Sequence, residues 1–438
     1  MAMATAAVNG FMDRCLLLAC AFLRAVATGL IGVLLGLYLA RRGFPAGEIG
    51  LVIGAGLAGA AASAVFVTFL GDRFGRRRAL VLLAVLAALG GVALMFSGHV
   101  LAAGGAAFLG MVNGMGRDRG AQLILEQAIL PSTTSDAGRT RAYAWYNVLQ
   151  DVGHALGGLA AALPAVVAGS LAVTELAGYQ ATLGLYAALL AVTAVLAMRL
   201  SPAVESGHQG ATPPEPVRHV SPDSRRVVWR ISGLFVIDAV AGGFLGTALL
   251  SYFFFQRFGA SEAAIAALFF AARAANAVSH FGAAWLARRI GLINTMVFTH
   301  FPSSLALVAV ALVPEFWMAA VLFLVREMLV EMDVPTRQSY VMAVVKPAER
   351  TWASGVTSLV RLGGWAVAPL AAGFLTQGLS LATPLVLGAG MKIGYDLLLW
   401  RAFRGLKPPE ERGGRKVGQK ADPDNPGRKS FSFPPASG

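Results

Sequence analysis

Twelve apolar runs, each about the length that crosses a bilayer as one helix, follow one another with little between them: 15–40, 46–70, 79–98, 100–126, 142–168, 177–198, 230–256, 262–286, 292–313, 316–341, 351–376 and 380–404. A helix rises 1.5 Å per residue, so about 20 apolar residues span the hydrocarbon core. Runs of that length, repeated this often, predict an all-α membrane protein of twelve transmembrane helices. The composition agrees, because 56% hydrophobic and 13% charged residues in a chain of 438 leave too little polar surface for a soluble protein of this size. A net charge of +13 would suit a nucleic-acid partner only if the basic residues shared a soluble face with aromatics. They lie in short turns and a tail, so no nucleic acid is expected.

Arginine placement sets the orientation. The turn from Gly71 to Arg78 holds four arginines and Asp72 between the second and third runs. Basic loops stay on the cytoplasmic side, and every second connection repeats the bias: Arg139 with Arg141, Arg199 to Arg230, Arg288 with Arg289, Lys346 with Arg350, and the tail from Arg401. The opposite connections offer Arg41, Arg42 and Arg257. Both termini are therefore expected in the cytoplasm, with the chain integral to the plasma (inner) membrane.

A change of composition divides the chain. Ser201 to Val228 is rich in Pro, Ser, Gly, His and charge, which reads as a cytoplasmic linker over 201–229 between a six-helix unit at 1–200 and a second at 230–406. The segment 407–438 has the composition of a disordered cytoplasmic tail. The units echo each other. Ala287 to Gly291 follows the eighth run as Gly71 to Gly75 follows the second; Gln122 stands nine residues before Pro131, with Arg139 beyond, as Gln338 stands nine before Pro347, with Arg350 beyond. Two repeats of six spans argue for a rocking pair of bundles with a site between them.

These residues resemble a known family. Asp72-Arg73-Phe74-Gly75-Arg76-Arg77 between spans two and three is similar to the signature loop of the major facilitator superfamily (the MFS fold), whose members are secondary transporters built from two six-helix bundles. The resemblance implies an inner gate made by Asp72, Arg73 and Arg76, partnered by Glu126 or Arg139 at the ends of spans four and five. The competing reading gives those arginines a purely topological role, but orientation alone does not call for an acid. A second family pattern, the span-five motif of drug/proton antiporters, is incomplete: Gly153-His154-Ala155-Leu156-Gly157-Gly158 keeps the glycines that allow close helix contact and replaces the kink-forming proline with His154. The arginine expected early in span four of those antiporters is also missing, which weakens apolar drug efflux as the function.

Charge inside the membrane is the strongest site signal, because each ionisable group there costs a few kcal/mol and must face water, a partner or a substrate. Span one carries Arg24; span four Arg117, Asp118 and Arg119; span seven Asp238; span ten Arg326, Glu327, Glu331 and Asp333. Spans five, eight and eleven add Asp151 and His154, Arg273 and His280, and Arg361, while spans three, six and nine hold no Arg, Lys, Asp or Glu in their cores. Asn147, Asp151 and His154 share one stripe of span five, as Arg273, Asn276 and His280 share one of span eight. A wet, polar central cavity is predicted. Arg24, Arg117, Arg119, Arg326, Asn147 and Gln122 are the candidate substrate-binding residues, and Asp151, His154, Asp238, Glu331 and Asp333 the candidate proton-exchange residues, since carboxylates and imidazoles in a partly dry cavity can titrate near neutrality. The competing reading has the acids and arginines neutralise one another as buried pairs.

Guanidinium forks suit carboxylate or phosphate better than an apolar drug. The reading is a proton-coupled secondary transporter of a small anionic or zwitterionic organic solute, working by alternating access and expected to be a monomer in the lipid bilayer. The alternatives are a proton-coupled drug antiporter and a non-transporting receptor or scaffold of the same fold. No nucleotide loop, no His or Cys cluster for a metal and no nucleophile spaced with a base is apparent, so neither a cofactor nor enzyme chemistry is expected. Cys15 and Cys20 read as packing residues.

Overall fold

The computed structural model describes residues 2–117, 120–134, 139–205, 221–330, 332 and 350–403. Their regular structure is helical throughout. In chain order the helices are α1 (Ala2–Arg41), α2 (Ala46–Phe74), α3 (Arg76–Phe96), α4 (Val100–Leu109), α5 (Ala121–Ile129), α6 (Arg139–Ala160), α7 (Leu163–Leu171) and α8 (Glu175–Met198). The second half begins within the stretch expected as a linker, since its first helix starts at Pro222: α9 (Pro222–Phe244), α10 (Thr247–Phe258), α11 (Glu262–Ile290), α12 (Leu292–Leu312), α13 (Phe316–Val330), α14 (Arg350–Gly378) and α15 (Thr383–Phe403).

Helix falls on each of the twelve apolar runs. Among the described residues seven helices are long and apolar enough to cross a membrane, or eight if the bent pair α6–α7 is one span. The runs that miss that standard are broken or carry charge in mid-helix, as α15 does with Lys392 and Asp396. Span four divides into α4 and α5, and span seven into α9 and α10. Span five was expected to be straight without a proline at position 154; it bends by 43° after Ala160, where Leu163-Pro164 begins a new helix. The kink has moved along the helix to the next proline, as the missing amide and ring clash of proline require.

Large apolar side chains face outward in helical stripes: Leu82, Val85, Leu89 and Val92 on α3; Phe298, Phe301 and Leu305 on α12; Val367, Leu370 and Phe374 on α14. Spacings of three and four place each set on one side of its helix. Water would make such surfaces a liability, whereas hydrocarbon solvates them.

Within the first half α1 packs on α6 and α8, α2 on α4, and α3 on α8; within the second, α9 packs on α14 and α15, and α12 on α13 and α15. The α1–α6 seam uses the span-five glycines: a Cβ on Gly157 would lie 2.0 Å from the Val26 carbonyl oxygen. Among the described residues the main seams between the halves are α2 with α14, α1 with α10 and α6 with α11.

The α2–α14 seam closes the end of the molecule remote from the termini. Gly50 and Gly373 face each other so closely that a Cβ on Gly50 would stand 2.3 Å from the Pro369 carbonyl oxygen. One turn away, the Gly47 amide donates to Oε1 of Gln377 at 3.1 Å. Arg41 on α1 reinforces this end, reaching Glu262 of α11 at 3.0 Å and Glu175 of α8 at 2.9 Å. Tyr179 donates to the same Glu262 carboxylate at 2.9 Å.

Replacing Gly50 with leucine is expected to wedge this end open. In a Cys15→Ser background carrying Gln377→Cys, a water-soluble maleimide should then label position 377 several-fold faster than with Gly50 intact. Unchanged labelling would show that the glycine contact does not hold the halves together.

Candidate functional site

The site begins where helices stop. After α4 the chain runs through Gly110–Arg117 without helix, with Asn113 folding the turn: its Oδ1 accepts from the Met115 amide at 2.8 Å and its Nδ2 donates to the Arg117 carbonyl at 2.5 Å. Gly116 takes φ +67°, and a Cβ there would meet Thr247 Oγ1 at 2.7 Å. Only glycine fits both the left-handed backbone and that contact. Between α9 and α10 the chain breaks at Leu245-Gly246. These two breaks meet. The Ala248 amide donates to the Gly114 carbonyl at 2.9 Å, and Thr247 Oγ1 donates to the Met115 carbonyl at 2.8 Å. Two carbonyls of the first break and one amide of the second are thus satisfied across the halves, while the Leu245 and Gly246 amides bond back to Gly242 and Gly243, so irregular backbone at membrane depth finds polar partners.

A cavity of about 120 Å³ opens beside this junction. Among the described residues its charged lining comprises Arg117, Arg273, Arg326, Arg361 and Lys392, against the carboxylates Asp238 and Glu327, with His300 also in the wall. Five cations against two acids make the wall an anion-attracting one. The acids are engaged. Asp238 Oδ1 accepts from Lys392 Nζ at 2.8 Å and its Oδ2 lies 3.5 Å from Arg361 Nη1. Glu327 is paired with Arg326 and accepts from Asn276 Nδ2 at 3.0 Å. Arg361 also stacks over Trp365, 4.8 Å from its ring centre, and Arg273 reaches across the halves to the Gly116 carbonyl at 3.4 Å.

From the wall, His300 Nδ1 reaches back to within 3.2 Å of Asp396 Oδ1, with both side chains almost fully buried. This dyad joins α12 to α15.

The first half has its own buried group away from the cavity. Arg24 of α1 pairs with Glu126 of α5, and Tyr146 of α6 donates to the same carboxylate oxygen at 2.8 Å. All three are buried. This redirects two sequence expectations: Glu126 faces Arg24 inside the first half instead of the Gly71–Arg78 turn, and Arg24 holds a carboxylate instead of lining the cavity. Helix packing explains it, because α1 passes between α5 and α6 and brings its one mid-span cation to the one acid of α5.

The span-five stripe also divides. Asn147 and Asp151 are exposed while His154 is buried where α6 lies on α1, and none of the three lines the cavity. The 3.6-residue period placed them on one side of the helix, but their neighbours differ turn by turn. On span eight, Arg273 lines the cavity and Asn276 holds Glu327, as a shared stripe predicts; the His280 side chain lies outside the described residues. Gln122 is half-buried on α5 and is not a wall residue of the cavity. Arg119, Glu331 and Asp333 lie outside the described residues, as do the side chains of Asp72, Arg73 and Arg139.

At the Gly71–Arg78 turn, Gly75 adopts φ +99° between α2 and α3. The Glu205 carboxylate caps the start of α3, accepting from the Arg76 amide at 2.6 Å and the Arg77 amide at 3.1 Å. An acid at a helix N-terminus satisfies two orphan amides and the positive end of the dipole.

Sequence reading passed over His300, Lys392, Asp396 and Glu205. The signal existed for three of them: Lys392 and Asp396 stand four apart inside an apolar run, and His300 sits in mid-span.

Apolar stripes facing outward and a charged cavity between packed helices define an integral membrane protein. The family model of the Major Facilitator Superfamily matches residues 17–332, more than half of the chain. The chain belongs to that superfamily. It is similar to an uncharacterized membrane protein of Saccharomyces cerevisiae, 24% identical over 90% of this chain and 94% of the relative. Among solved structures it is similar to the nucleoside transporter NupG, at 16% identity and a TM-score of 0.71 over 90% of this chain and 99% of that one. It also resembles a peptide transporter POT solved in complex with sulfate, at 14% identity and a TM-score of 0.71 over 90% and 94%. These likenesses share the fold.

The Arg24–Glu126 pair yields a stability test. Removing one member strands the other as a buried charge, which costs about 3–5 kcal/mol. Arg24→Leu or Glu126→Leu alone should lower the melting temperature of the purified protein sharply, and the double Leu variant should recover most of the loss. Additive losses would show that the pair is not coupled.

Proposed function

We propose that this protein is a proton-coupled secondary transporter of a small organic anion or zwitterion. The observation that carries the reading is the cavity wall, with five cations against two carboxylates among the described residues. Guanidinium groups bind carboxylate and phosphate through paired, charge-assisted hydrogen bonds, and Arg117 of the first half and Arg326 of the second both line the cavity. An apolar drug would find few wholly apolar walls here.

The halves at 1–200 and 230–406 act as two bodies that rock about the junction of the broken helices. In the conformation described, the end remote from the termini is shut by the Gly50–Gly373 contact and the Arg41–Glu262 pair. Solute therefore exchanges with the side that bears the termini, which the arginine bias of the loops makes the cytoplasm. When the outer end opens, the turn holding Asp72, Arg73 and Arg76 closes the inner one, with Arg139 as a partner. Protons couple through acids and imidazoles of the path, where Asp238 and His300 stand; Glu331 and Asp333, on the same span as Arg326, are proposed for this role from the sequence alone, and Asp151 and His154, which do not line the cavity, are not retained. Exchange between the two states follows the differential affinity of each for solute and proton.

Counterflow in proteoliposomes tests the reading. Organic anions should exchange and organic cations of equal size should not. Arg117→Gln and Arg326→Gln, each removing one charged hydrogen-bond donor set, should cut anion exchange about 10- to 100-fold. Equal exchange of cations and anions would overturn the assignment.

A further inference from the structure

The second half contains a charge set that the cation-rich wall does not by itself explain. Lys392 and Asp396 stand one turn apart on α15, so they share a side of that helix. Lys392 and Arg361 hold Asp238, and Asp396 holds His300. All but Arg361 are at least nine-tenths buried, and Asp238, Arg361, Lys392 and His300 all line the cavity. Two cations and two carboxylates cancel while the imidazole is neutral. A proton on His300 leaves the set with one net positive charge beside the solute path.

We propose that His300 and Asp396 form the proton site that couples anion binding in this carrier, with the protonated imidazole supplying the charge that recruits the anion to Lys392 and Arg361. This rests on the anion-carrier reading above and names where its proton goes. Histidine is suited to the task because its ordinary pKa lies between pH 5 and 8. Among the described residues Asp396 and Tyr395 of α15 stand directly against it, and Lys392 of α15, the mutually paired Arg326 and Glu327 of α13 and Arg273 of α11 share its cavity wall. Asp238, Arg361 and Arg117 face the same cavity from α9, α14 and the first half. Within this set His300 is the residue type that ordinarily exchanges a proton near neutral pH, so occupancy by a proton and occupancy by an anion favour each other. A carrier with that property moves both in the same direction.

Calorimetric titration of the purified full-length protein with sulfate and methanesulfonate tests the site, since neither probe changes charge between pH 6 and 8. Wild-type affinity should rise about tenfold from pH 8 to pH 6. His300→Gln should hold the affinity low and flat across that range. Asp396→Asn should do the opposite, raising affinity at pH 8 because it removes a negative charge without needing a proton. If His300→Gln does not fold, Asp396→Asn decides alone, because a merely structural dyad predicts no gain at pH 8. Failure of the wild type to bind either probe, an unchanged pH slope in His300→Gln, or no gain in Asp396→Asn would each overturn the proposal. Anion carriage in proteoliposomes separates this result from the carrier reading: binding with the expected slope but no carriage would sink the carrier and leave the site standing, and carriage with an unchanged slope in His300→Gln would do the reverse.

Discussion

A broken helix inside hydrocarbon leaves amides and carbonyls with no water to bind, and each such group costs several kcal/mol unless a partner is supplied. Here the two breaks that border the cavity supply each other. Gly114 and Met115 of the first half accept from Ala248 and Thr247 of the second, so those carbonyls and the Ala248 amide have their partners only while the two halves are together. Gly116 is fixed by the same contact, because its left-handed backbone presses on Thr247. The cavity exists because the helices stop there, and the stop is tolerable because the halves meet there.

Charge is distributed around that junction with a division of labour. In the first half the buried ionic group Arg24–Glu126–Tyr146 ties α1, α5 and α6 together away from the path. In the second half the ionic groups line the path or stand directly behind it, from Arg326–Glu327 to Asp238–Lys392 and His300–Asp396. Buried pairs are weak contributors to stability, because desolvation offsets most of their attraction. Their concentration beside the cavity therefore fits a binding role better than a structural one. The pair away from it fits the structural role that the competing reading assigned to Arg24.

The sequence made the class legible because length and apolarity leave few options: a run of 20 or more apolar residues has to cross a bilayer, and an ionised side chain within it has to face something polar. Arg117, Asp238 and Arg326 were found that way, and they line the cavity. Partners were not legible. Glu126 and Arg24 are 102 residues apart in sequence, and nothing local to either says that α1 passes beside α5. Periodicity placed Asn147, Asp151 and His154 on one stripe, yet packing on α1 buries the last and leaves the first two exposed. Lys392 and Asp396 were open to the same charge rule but stand on span twelve, to which it was not applied, and His300 on span nine escaped because the rule counted only Arg, Lys, Asp and Glu there. The bend in span five was misplaced because it follows Pro164, beyond the motif that drew attention to the helix.

The central claim is that a water-filled, cation-lined path runs between the halves while the outward stripes meet lipid. Single cysteines in a Cys15→Ser background test it most directly, with a membrane-impermeant thiol reagent applied to Gly242 and Ala272 in the cavity wall and to Leu305 and Val367 on the outward stripes. The account predicts fast modification at the first two, slowed by bound sulfate, and none at the second two. Equal reactivity at all four, or protection from the reagent at Gly242 and Ala272 alone, would contradict it.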